Sequence, residues 1–129
     1  MKAQKPTLVF NRLGIMCEVY DSKVELGKAA AELVAGRVAA AIKAQGAARV
    51  IFATGASQYE FLDALIKHQE VDWKRVTAFH LDEYLGMDDQ HPASFRRYLR
   101  ERLFSKLPFA EVNLLNGTAT DAKADCRRY

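Results

Sequence analysis

Apolar and polar positions along the chain follow two alternating rhythms. Residues 7–10 (TLVF) and 15–20 (IMCEVY) are short apolar runs of strand character. Asp21 or Ser22 then stands where a helix N-cap belongs. From Val24 to about Lys43, Leu26, Ala30, Leu33, Val34, Val38, Ala41 and Ile42 recur at three and four, predicting one long helix that Gly46 ends. RVIFA, residues 49–53, is a continuous β-branched and aromatic run. It predicts a strand buried on both faces, as parallel sheets require. The run stops at TGAS, and Ser57 begins a second helical pattern of Tyr59, Leu62, Leu65 and Ile66. RVTAFHL, residues 75–81, predicts another such strand, running into the polar loop DEYLGMDDQHP. Pro92 fits the first turn of a third helix carrying Phe95, Tyr98, Leu99 and Leu103, closed by Leu107 and Pro108. VNLLNG, residues 112–117, predicts a third parallel strand, and TATDAKADCRRY opens one more helix.

Strands alternating with helices predict an α/β fold: a largely parallel sheet, helices on both faces and right-handed crossovers. With no internal repeat and no linker-like stretch, residues 1–129 read as a single α/β domain. The last helix has barely two turns before Tyr129. The expectation is therefore a domain incomplete at its C-terminus, either the amino-terminal part of a larger α/β unit or a chain cut short.

Composition removes several function classes. Half of the 129 residues are hydrophobic, and only 7 Gly and 3 Pro are present, which excludes disorder and collagen-like repeats. A net charge of +3 is too small to argue for nucleic acid. The longest apolar stretch, Leu33 to Ile42, is interrupted by Arg37, so no membrane span is expected. MKAQKPTLVFNRLG has only a three-residue apolar stretch and does not read as a secretory leader. Cys17 and Cys126 stand far apart, and two reduced thiols in a cytoplasmic protein are expected. His68, His80 and His91 lack metal-ligand spacing, so no metal is expected. His80 reads as a hydrogen-bonded core histidine, His91 as a local cap and His68 as a partner of a helix C-terminus. Trp73 reads as a packing residue, and the cluster Arg96, Arg97, Arg100 and Arg102 as a solvated helix face.

Two segments at strand C-termini have chemistry to offer. Ala53-Thr54-Gly55-Ala56-Ser57 joins a strand directly to a helix, so its unpaired N–H groups at the positive helix end suit a phosphate. Gly55 permits a tight turn, and Thr54 and Ser57 can add hydroxyl donors. The alternative is that Ser57 only caps its helix and Gly55 only turns. The second segment is His80-Leu81-Asp82-Glu83-Tyr84, which delivers two carboxylates at the strand edge where ligands bind in open α/β sheets. Consecutive side chains diverge, so one carboxylate can face the crevice while the other holds the loop. An inward, desolvated Asp82 would be the better base; a capping Asp is the alternative. Parallel strands bring both segments to one edge, a span suited to a small sugar phosphate with proton abstraction next to its carbonyl.

VIFATGASQYEFLDAL, VTAFHLDEYLGM, HPASFRRYLRERLF and VNLLNG, in this order, resemble the glucosamine-6-phosphate deaminase/isomerase family. The resemblance runs from about residue 24 to Tyr129 and covers the amino-terminal half of a family member. It implies a Rossmann-like α/β fold and conversion of glucosamine 6-phosphate and water to fructose 6-phosphate and ammonia, with no metal or organic cofactor. Asp82 matches the family's general base, which moves a proton between C2 and C1 of the opened sugar. Thr54, Gly55, Ala56 and Ser57 match the turn that helps hold the phosphate. Ala56 and Gln58 stand where the family often has Gly and Pro, so the turn's donors require a negative φ at Ala56. The family's ring-opening His and its carboxylate partners fall beyond Tyr129, which predicts that these 129 residues alone are inactive. The related 6-phosphogluconolactonases typically carry Arg where this chain has Tyr84 and lack the HPxS element. Lactone hydrolysis and a non-catalytic sugar-phosphate sensor are the alternative readings. A small-molecule sugar phosphate is the expected partner, and a homo-oligomer stays open.

Overall fold

The computed structural model describes residues 4–129; residues 1–3, the start of the segment read as no secretory leader, lie outside the described residues. β1 (Leu8–Arg12) and β2 (Ile15–Val19) pair antiparallel as a hairpin with its own two-stranded sheet. Thr7 Oγ1 donates to Asp21 at its base, 2.7 Å away. α1 follows over Lys23–Gln45, with ends set by local chemistry. Ser22 accepts from the Glu25 N–H at 3.2 Å, and Gly46 at φ 81° donates to the Ile42 carbonyl at 2.8 Å.

The buried stripe of α1 overlaps the predicted one at Val38, with Val34, Ala41 and Ile42 packed beside it, but is otherwise made of smaller residues. Gly27, Ala31, Ala35 and Val38 face inward, whereas Leu26 and Leu33 are more than half exposed. Small residues win because α2 (Tyr59–Leu65) lies close: a Cβ on Gly27 would stand 2.6 Å from the Glu60 carbonyl carbon. Side-chain bulk on that stripe would push the helices apart.

The main sheet holds β3 (Ala48–Phe52), β4 (Val76–His80) and β5 (Glu111–Asn113), parallel and in that order, with β4 central. Register puts Ala48, Phe52, Val76, Ala78 and His80 on one face, all buried. That face meets Ala31, Ala35, Leu62 and Leu65 from α1 and α2. It also meets Leu99 of α3 (Phe95–Leu99) and Leu103 in the π-helical turns Arg100–Phe104 that continue it. The other face carries Arg49, Ile51, Thr77 and Phe79. Ile51 is 63% exposed, so β3 is buried on one face rather than two. Cover there, among the described residues, comes from Tyr129 at the end of α4 (Ala122–Arg128), edge-on to Phe79 with centroids 5.4 Å apart.

Three further expectations shift. α3 starts at Phe95 with Ser94 as cap, and Pro92 lies in the preceding turn, closed by Ser94 N–H donating to the His91 carbonyl at 3.0 Å. β5 ends at Asn113 because the next amides turn aside: Leu115 donates to His80 Nδ1 and Asn116 to Asp125. The arginines are not a bare solvated face. Arg96 is buried, and Arg97, Arg100 and Arg102 lie against Glu101, Asp89 and Asp63. His68 meets Glu70 at 2.6 Å, Trp73 is 2% exposed, and both cysteines are free. Among the described residues, no helix is long and apolar enough to cross a membrane.

Candidate active site

β3 and β4 run side by side with Phe52 opposite His80, and the Leu81 N–H donates to the Phe52 carbonyl at 3.0 Å. The chain leaving β3 into residues 53–57 and the chain leaving β4 into residues 81–84 therefore start as neighbours on one rim. Adjacent strands are about 4.8 Å apart.

The turn after β3 is tight and mostly unpaired. Gly55 has φ 120° and ψ 165°, a backbone that L side chains rarely adopt. Its carbonyl accepts from the Gln58 N–H at 3.0 Å and from the Tyr98 hydroxyl at 2.8 Å. Residues Ala56–Gln58 form a 3-10 turn leading into α2. Among the described residues Leu13 is the one non-glycine at positive φ, so Ala56 keeps its amide in the ordinary orientation. Ser57 does not cap: neither helix start here has a side-chain cap. Among the described residues no acceptor meets the Gly55, Ala56 or Ser57 N–H, and no partner meets the Thr54 or Ser57 hydroxyl. Such donors at a helix start suit an anion. A groove of about 580 Å³ beside the turn is lined by Lys23, Leu26, Ala30, Ser57, Gln58 and Glu60, so α1 contributes a cation that the sequence did not single out and α2 a carboxylate.

The two carboxylates divide. Glu83 is buried, with its side chain 1% exposed. It accepts from Ser94 Oγ at 2.8 Å, from the Arg96, Phe95 and Tyr84 amides at 3.0, 3.2 and 3.1 Å, and from Arg96 Nε at 3.2 Å. Burial alone would raise its pKa, but these hydrogen bonds outweigh it and hold the carboxyl below the usual range. Arg96 continues the clamp to Asn116 Oδ1 and, at 2.7 Å, to the Met87 carbonyl. Gly117 completes it: a Cβ there would meet the Tyr84 carbonyl at 2.5 Å. HPASF and LLNG thus both brace the loop that follows β4. Asp82 is exposed and makes no hydrogen bond or ion pair among the described residues, so these residues do not supply the desolvation expected of a crevice-facing base.

His80 is fully buried. Its Nδ1 accepts from the Leu115 N–H at 3.4 Å, Nε2 has no partner, and burial lowers its pKa with nearby Glu83 pulling the other way. His91 Nδ1 accepts from the Ala93 N–H at 3.1 Å, a local turn contact. No cluster of three potential metal ligands occurs among the described residues.

Residues 21–129 match the family described as glucosamine-6-phosphate isomerases/6-phosphogluconolactonase. The glucosamine-6-phosphate deaminase of Yersinia pestis (strain Pestoides F) is 41% identical over 73 residues, covering 55% of this chain and 27% of the relative. A solved monomeric glucosamine-6-phosphate deaminase superposes with a TM-score of 0.73 at 28% identity, over 84% of this chain and 45% of that one. The 6-phosphogluconolactonase of Shewanella baltica OS155 superposes with a TM-score of 0.74 at 22% identity, over 84% of this chain and 46% of that one, a likeness of fold. The matched segments thus span about a quarter of the length of the Yersinia relative and under half of the solved ones.

Proposed function

The chain belongs to the glucosamine-6-phosphate isomerase/6-phosphogluconolactonase family, and we propose that it carries the phosphate cradle and the proton-moving carboxylate of a cytoplasmic glucosamine-6-phosphate deaminase/isomerase. The phosphate lies against the Gly55, Ala56 and Ser57 amides and the Thr54 and Ser57 hydroxyls. In the opened sugar the C1 carbonyl makes C2–H acidic, so a carboxylate suffices as base and the scheme uses no metal or organic cofactor. Asp82 takes the C2 proton as O1 gains one from solvent, leaving an enolamine. The same carboxyl returns its proton to C1, which makes C2 an iminium; water adds there and ammonia leaves, giving fructose 6-phosphate.

One observation carries this reading: neighbouring parallel strands release, side by side on one rim, a turn whose amides and a carboxylate whose oxygens have no partner among the described residues. Amide resonances of Gly55, Ala56 and Ser57 are expected to shift saturably with glucosamine 6-phosphate and not with glucosamine. Equal response to both sugars, or to neither, overturns the cradle. No residue here is assigned to ring opening, so the 129 residues alone are expected to release no ammonia from glucosamine 6-phosphate. Steady ammonia release by them would contradict that assignment. In any turnover-competent protein that includes this chain, Asp82→Asn is expected to lower kcat about 100-fold or more, the scale of a lost general base.

A further inference from the structure

The cradle is tied to the rest of the molecule from α3. We propose that Tyr98 is a positioning residue for the cradle, and that α3 is the strut holding cradle and Asp82 loop in one frame. This rests on the phosphate reading above and deepens it.

The Tyr98 hydroxyl donates to the Gly55 carbonyl, 43 residues away in sequence, at 2.8 Å. The same oxygen takes the Gln58 N–H, so the Gly55–Ala56 peptide is pinned on its carbonyl side. No described peptide is cis, and in a trans peptide the N–H points opposite to the C=O. Fixing the Gly55 oxygen against α3 therefore aims the Ala56 N–H away from the Tyr98 hydroxyl. The tyrosine ring is itself held. It stacks on Tyr59, with centroids 5.8 Å apart and planes 23° from parallel, and the Arg102 guanidinium sits 3.8 Å over the Tyr59 ring. Burial raises the Tyr98 pKa, so the hydroxyl stays a donor at neutral pH.

One turn earlier on the same element, Ser94, Phe95 and Arg96 grip Glu83, the neighbour of Asp82. Four residues of helix rise about 6 Å. Residues within one turn of the same helix thus hold both exits, adding a second tie to the one that the pairing of β3 with β4 already makes.

Tyr98→Phe removes one oxygen and keeps the ring. Titration with inorganic phosphate, followed at the Ala56 and Ser57 amides, is expected to show affinity about three- to tenfold weaker, the factor a lost ordering hydrogen bond gives. A role in stability alone would lower the denaturant midpoint and leave the affinity of the folded protein unchanged, which overturns the proposal. Arg102→Leu loosens the ring without touching the hydroxyl and is expected to weaken phosphate by a smaller factor; it carries the test if Tyr98→Phe does not fold. Absence of saturable shifts in the unaltered chain removes the cradle and this inference together. Binding by the unaltered chain that both variants leave intact removes this inference alone.

Discussion

Asp82 and Glu83 are adjacent carboxylates with opposite environments, and that contrast is measurable. Asp82 is exposed and unpaired among the described residues, so Asp82→Asn should change unfolding free energy by no more than about 0.5 kcal/mol. Glu83 answers four donor groups besides its own neighbour's amide, and Arg96 is buried against it. Glu83→Ala leaves that guanidinium uncompensated and should cost about 3 kcal/mol in urea unfolding. Equal costs for the two changes would mean that the loop is not clamped as described. The sequence shows that two consecutive carboxylates diverge, so that one can face the crevice while the other holds the loop. It does not show which is which, because the partners of Glu83 lie eleven to thirteen residues on and meet it only after α3 folds back. Tyr98 was legible as an apolar helix position and illegible as a hydroxyl donor for the same reason: its acceptor is a backbone oxygen on another strand's exit.

At the scale of elements, the two ends of α1 were readable, while the start of α3, the end of β5 and the buried faces were not. Ser22 and Gly46 act within three or four residues of themselves, so local spacing is enough to place them. The inward face of α1 depends on what packs there, and a chain of Leu, Val and Ala at three-and-four spacing offers two nearly equal stripes. The close approach of α2 selects the small one. Gly27→Ala tests that selection. Alanine in a helix interior is favoured over glycine by about 1 kcal/mol, so an open site would be stabilised. Here the new methyl meets the Glu60 backbone at 2.6 to 2.8 Å, and backbone cannot swing aside as a side chain does. Overpacking of this kind costs about 1–3 kcal/mol, so a net loss of stability is expected by denaturant titration. A gain would show that α1 and α2 are further apart. The basic cluster teaches the same lesson: charge spacing identified a helix, but only the fold assigns each guanidinium its carboxylate.

For the molecule as a whole, parallel strands and the shared rim followed from strand–helix alternation, while the strand order and the one-sided burial of the sheet did not. Ile51 and Phe52 look alike in a run of apolar residues, yet one is exposed and the other is in the core. The same central strand makes global stability depend on acid. His80 ends β4 wholly buried, with Nε2 unpartnered, and burial holds its pKa below the ordinary 6.5. The unfolded chain therefore takes up a proton at higher pH than the folded chain does. Stability must fall as pH drops through about 6.5 toward the folded value, and be flat for this group above that range. Glu83 has the same sign lower down: its carboxyl is held below 4.5, so the clamp's contribution is present above that value and lost as the pH falls below it. Urea unfolding followed from pH 8 down to about pH 2 should thus show two separate declines. His80→Asn keeps an acceptor for the Leu115 amide but cannot titrate, so it should erase the upper decline and leave the lower one. Persistence of the upper decline in that variant would assign it to another group and leave the buried imidazole without a part in the acid response.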